Sequence, residues 1–156
     1  MVPAWQKHEE KHGTSRTGLE PHAQCGSARW QTAPLTPPVL LEELLLQADI
    51  TIINFYPEAI VPFILEHKDL FKKDSVVTDS CGIKTKICRE MAAHKDLPFT
   101  FIGAHPMAGR EVSGYDNSLN NLFDNASFIC TPVDAPRRKV DALIGLAEDM
   151  ASPARW

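Results

Sequence analysis

His105 stands inside the stretch FIGAHPMAGREVSG, Phe101 to Gly114, where an apolar run gives way to a segment punctuated by Pro106, Gly109 and Gly114. A neutral imidazole there can accept a proton or a hydrogen bond from a substrate hydroxyl near neutral pH. Glu111 is close enough in the chain to orient it or to act on a ligand. A structural histidine closing a strand explains the same pattern, and the residues alone leave both readings open. A second constellation is DSCGIK, Asp79 to Lys84, which follows a β-branched run and opens a helical one. Backbone N–H groups at such a helix start, with Gly82 permitting close approach, suit an anionic group. An ordinary helix start capped by Asp79 or Ser80 is the plainer alternative. Cys81 sits near the positive helix end, which favours thiolate, but no base is visibly paired with it. HEEKH, His8 to His12, matches the pattern of a zinc-protease helix. Gly13 ends any helix at once, Pro3 lies just upstream, and no further ligand stands on a recognisable second helix, so a solvated polar terminus is the reading adopted. His67 and His94 fall in helical stretches beside charged residues and are read as solvated.

The elements that must position these residues follow from hydrophobic pattern. Val39 to Gln47 reads as a short helix and Ile50 to Phe55 as a strand covered on both faces, since β-branched residues dominate it. Pro57 suits the first turn of a helix running to about Phe71. Ser75 to Thr78 is the next strand, ending at Asp79, and Lys84 to Ala93 the next helix. Phe99 to Gly103 is a third strand, Ala126 to Thr131 a fourth, and Val133 to Met150 a closing helix. The alternation predicts an α/β fold with βαβ crossovers and a parallel sheet flanked by helices. Functional loops then lie at the carboxyl ends of the strands: 54–58, 79–84 and 104–114.

Composition narrows the classes. A net charge of -4, spread along the chain, offers no basic stripe for nucleic acid. Cys25, Cys81, Cys88 and Cys130 make no CxxC pair or metal-ligand spacing and are read as reduced thiols of a cytoplasmic protein. No apolar run approaches membrane-spanning length and no signal peptide is evident, so no membrane partner is expected and Asn125-Ala126-Ser127 is not read as glycosylated. Residues 1–38 hold five of the twelve prolines without sustained periodicity, and are expected to be poorly structured. Residues 39–150 form the expected domain, and 151–156 an unstructured tail.

The segments ADITIINFYPEAI, VVTDSCGIKTKI and FIGAHPMAGREVSGYDNSLNNLFDNASFICTP resemble the nucleotide-binding domain of the prephenate dehydrogenase family, from about Leu40 to Met150. HPMAGxExSG followed by LFxNA is the specific part. The resemblance implies a Rossmann-like domain and oxidative decarboxylation of prephenate, or of arogenate, with hydride passing to NAD or NADP in tyrosine biosynthesis. By matching motif it makes His105 the catalytic histidine that engages the ring hydroxyl. It puts Asn54, Phe55, Tyr56, Asp79 and Ser80 on the cofactor side, and Cys81, Gly82, Glu111 and Ser113 on the substrate side.

The departures matter as much. Many members of the family carry serine where this chain has Gly82, so a substrate hydrogen bond is missing there. None of the eight glycines forms the GxGxxG turn that cradles pyrophosphate. The resemblance therefore implies a partial fold lacking the first βαβ unit, with a sheet edge uncovered. It also implies that the helical domain through which the family dimerises is absent. Two expectations follow: a truncated prephenate dehydrogenase of doubtful activity alone, or a non-catalytic remnant that acts as a binding module.

Overall fold

A computed structural model describes residues 41–109, 117, 119, 121–150 and 154–155. The expectations placed on residues 1–38, the zinc-like HEEKH stretch, Cys25, Glu111 and Ser113 lie outside the described residues.

The chain alternates as its pattern requires. Helix α1 (Leu41–Gln47) leads into strand β1 (Ile50–Ile53), and helix α2 (Pro57–Glu66) follows, ending in a short 3₁₀ turn at Lys68–Leu70. Strand β2 (Val76–Asp79), helix α3 (Lys84–Ala92) and strand β3 (Thr100–Pro106) come next, then strand β4 (Phe128–Pro132), helix α4 (Arg137–Asp149) and a two-residue strand β5 (Ala154–Arg155). Pro57 takes the first helical position of α2, where its missing N–H would have had no partner. Helix α4 starts four residues later than the pattern predicts because Asp134 has a left-handed φ of 49° and Pro136 has extended backbone at the N-cap.

The sheet order is β1-β2-β3-β4-β5, with β1 at one edge. Strands β1, β2 and β3 are parallel, as expected. The expectation of an all-parallel sheet fails at β4, which runs antiparallel to β3, pairing Ala104 with Cys130 and His105 with Ile129. A parallel neighbour needs a crossover connection, usually a helix. The sequence between the third and fourth strands has no helical pattern, and just past β3 the Met107 N–H donates to the Ser127 carbonyl, which precedes β4, at 2.7 Å. This pairing extends β3 through Pro106, so His105 belongs to the strand itself and not to the loop that begins after it.

Two apolar layers cover the sheet. On one face Val140, Leu143 and Ala147 of α4, at helical spacing, pack with Val76, Ile102, Ala104, Phe128 and Cys130. On the other, Ile60 and Ile64 of α2 and Ile87 and Met91 of α3 pack with Ile53, Val77 and Phe101. All four residues of β2 are buried, which is the pattern of a strand covered on both sides. Each fully buried aliphatic side chain contributes about 1.5–3 kcal/mol relative to exposure.

Gly103 allows the second layer to close. A Cβ there would stand 2.6 Å from Cys88 Sγ and 3.3 Å from Lys84 Cδ, so only glycine lets α3 lie this close to β3. Burial pushes the Cys88 thiol up, only partly opposed by the Lys84 ammonium. Burial alone raises Cys130 to about 11. Among the described residues no helix is long and apolar enough to cross a membrane.

Candidate functional site

The parallel strands bring the turns after β1 and β2 and the end of β3 to one rim, as the crossovers require. Asp79 closes β2, and its carboxylate is the most constrained polar group there, in a residue only 1% exposed. Its Oδ1 accepts the Ala104 N–H of β3 at 3.2 Å. Its Oδ2 accepts the Cys81 N–H at 3.0 Å and is ion-paired with Lys84 Nζ. A buried carboxylate is tolerated when it is paired and its lone pairs are used, and both conditions hold.

His105 stands across from this turn. The Ser80 carbonyl, which can only accept, lies 3.2 Å from His105 Nδ1, so Nδ1 carries the proton and donates. In the neutral ring Nε2 is then the bare, proton-accepting nitrogen. A Cβ built on Gly82 would lie 3.5 Å from both Nε2 and Cε1 of that ring, an ordinary contact distance. Gly82 therefore sits against the working edge of the imidazole and leaves that side open.

Asn54 and Ser80 are joined by a hydrogen bond from Ser80 Oγ to Asn54 Oδ1, tying the turn after β1 to the turn after β2. Tyr56 is 78% exposed on the same rim. Phe55 points elsewhere: its ring meets Phe63 of α2 edge-on with centroids 4.8 Å apart. The structure thus brings together Asn54, Ser80, Cys81, Gly82 and His105. It turns the Phe55 ring and the Asp79 carboxylate inward, so that only their backbone is left for the rim. Cys81 is half-buried, with Sγ accepting the Ile83 N–H at 3.4 Å.

Lys84 is the residue that sequence reasoning passed over. Its signal was available: a lysine at the start of a helix, five positions after the aspartate that ends the preceding strand, is within short reach of that carboxylate. What hid it is that a helix-opening lysine ordinarily points to solvent.

The chain matches the family model described as the prephenate dehydrogenase nucleotide-binding domain over residues 40–152. Among solved structures, the arogenate dehydrogenase of Synechocystis is 26% identical, with a TM-score of 0.66 over 73% of this chain and 40% of that one. The prephenate dehydrogenase of Aquifex aeolicus is 23% identical, with a TM-score of 0.64 over 73% of this chain and 40% of its own. That enzyme in complex with hydroxyphenyl propionate and NAD+ gives the same TM-score, 0.64, with 39% of its length covered. No functionally curated protein sequence matches. The chain thus spans about 40% of the length of the solved relatives it matches. From the match across residues 40–152, the chain belongs to the prephenate dehydrogenase family of oxidoreductases, through that family's nucleotide-binding domain.

Proposed function

We propose that the chain carries the histidine-bearing part of a dehydrogenase that oxidatively decarboxylates prephenate or arogenate. The observation behind this reading is His105, whose Nδ1–H is held by the Ser80 carbonyl at 3.2 Å so that Nε2 is a bare acceptor on the carboxyl rim. Nε2 accepts the proton of the ring hydroxyl as hydride leaves the same carbon. The ring carboxyl departs as CO2, and the electron pair of the broken C–C bond makes the ring aromatic. NAD or NADP, when bound, supplies the hydride acceptor.

The residues present fit the nicotinamide end of such a cofactor. Asn54 and Ser80 hold two rim turns together, and Tyr56 stands open beside them. Phe55 and Asp79 contribute backbone on this side. No GxGxxG turn occurs in the sequence to cradle the pyrophosphate. Substrate contacts are assigned to Cys81, Gly82, Glu111 and Ser113. A cytoplasmic setting belongs to the same proposal.

A second reading, a binding module without catalysis, is favoured by one observation: among the described residues β1, Ile50 to Ile53, is an edge strand of the sheet. A calorimetric titration of the full chain with NAD and with NADP separates the two. Saturable binding supports the dehydrogenase, and none supports the module. In an enzyme assay with prephenate, His105→Asn is expected to lower turnover by roughly 10²–10⁴ while cofactor affinity holds, and unchanged turnover would sink the role of His105.

A further inference from the structure

We propose that the Asp79 carboxylate acts as a positioning group for His105, selecting its tautomer through the backbone, and not as a cofactor contact. The functional consequence rests on the dehydrogenase reading above; the geometry does not. The Asp79 residue is 1% exposed, so its carboxylate does not reach a ligand at the rim. Its two oxygens instead grip the backbone on both sides of one hydrogen bond. Oδ1 takes the N–H of Ala104, the residue before His105, at 3.2 Å. Oδ2 takes the N–H of Cys81, the residue after Ser80, at 3.0 Å. Between these anchors the Ser80 carbonyl and His105 Nδ1 are held 3.2 Å apart.

A carbonyl in that place admits one tautomer, with the proton on Nδ1 and the lone pair on Nε2. A proton on Nε2 would turn the acceptor into a donor and remove the base from the rim. Only a carboxylate can hold both anchors. An asparagine offers one accepting oxygen and a donating NH2 group, which would face one of the two N–H groups and release either Cys81 or Ala104. Lys84 makes the arrangement tolerable, because its ammonium balances the charge that the two N–H groups only solvate.

The test reads the tautomer directly. The full chain, labelled with 15N at histidine, is examined by two-bond 1H–15N correlation across a pH series, and the tautomer is read from the plateau at the alkaline end. His105 signals are assigned by their loss in His105→Asn. In the parent chain a protonated-type Nδ1 and an unprotonated-type Nε2 are expected. In Asp79→Asn the two nitrogens should move toward averaged shifts, while Lys84→Arg alone, which keeps Asp79 and its ion pair, should leave the parent pattern in place. Where Asp79→Asn does not fold, Asp79→Asn with Lys84→Met removes both buried charges and should give the same averaged shifts.

A parent chain with its proton on Nε2 overturns the proposal. So does a folded double variant that keeps the parent pattern. Loss of NAD binding in Asp79→Asn with an unchanged tautomer overturns it too, and returns Asp79 to the cofactor. If the parent chain binds no NAD yet the tautomer shifts as expected, the positioning role stands and the dehydrogenase reading falls.

Discussion

Two aspartates open and close the same strand region, and they do opposite work. Asp74, just before β2, has a side chain 60% exposed and meets Arg138 through two guanidinium nitrogens at 3.0–3.2 Å, with Lys139 Nζ 3.2 Å from its Oδ1. Lys139 also donates to the Asp74 backbone carbonyl. Asp79, at the other end of β2, has no exposed side chain and meets one cation and two backbone N–H groups. The Asp74 clamp ties α4 to the sheet in high dielectric, where such pairs contribute little. The Asp79 clamp loses hydration and recovers it only while every partner stays in place. More ion pairs therefore do not mean more stability here: the rim with one pair is the one that holds geometry.

The largest expected effect breaks this contrast at its stronger side. Asp79→Ala leaves the Lys84 charge and two N–H groups uncompensated, and urea unfolding should register a loss of about 3–5 kcal/mol. A loss no larger than that of Asp74→Asn would show that the buried clamp is unimportant.

Next come the two glycines that flank the site. Gly103→Val drives a branched side chain against Cys88 Sγ, already 2.6 Å from a single added Cβ, and should cost about 1–3 kcal/mol. Gly82→Ser meets the His105 ring only at ordinary contact distance, and its melting temperature should stay near the parent value. In an active enzyme it should lower KM for prephenate more than it changes kcat; a raised KM would mean the open side of the imidazole is itself the substrate's place.

A smaller effect is expected at Asp74. Asparagine tolerates its left-handed φ of 62° and keeps the carbonyl that Lys139 uses. Asp74→Asn should therefore lower stability only slightly, and the difference from the parent chain should vanish at high salt.

The smallest effect is in acid. Arg138, with Lys139, holds the Asp74 carboxyl below its ordinary 3.8, and Lys95 does the same for Asp134. A depressed carboxylate adds stability that is complete above 3.8 and is lost as pH falls through the lower folded value. The Asp74→Asn and parent unfolding curves should thus converge as pH falls from 3.8 through the lower folded value. Persistent separation there would mean that Asp74 acts through backbone conformation and not charge.

Much of the fold was legible in the residues because the relevant signals are local. β-branched runs marked β1 and β2, Pro57 marked the start of α2, and helical spacing marked α3 and α4. The direction of β4 was not legible from alternation alone, though the missing helical pattern between the third and fourth strands carried it: without a crossover, the chain can only return antiparallel. Within the site, motif resemblance picked out His105, Asn54, Ser80 and Gly82. It did not distinguish the exposed Tyr56 from Phe55, whose ring packs on Phe63, because which of two neighbouring aromatic residues beyond a strand turns inward is decided by the helix that packs there.

What the sequence determined by itself is the set of elements and the residue types at their ends, since propensity, turn chemistry and periodicity act over a few residues. The tertiary structure decided which oxygen meets which N–H. Asp79 lies 25 positions from Ala104, and His105 lies the same distance from Ser80. Only the pairing of β2 beside β3 brings these groups within hydrogen-bond reach and thereby settles where the imidazole proton resides.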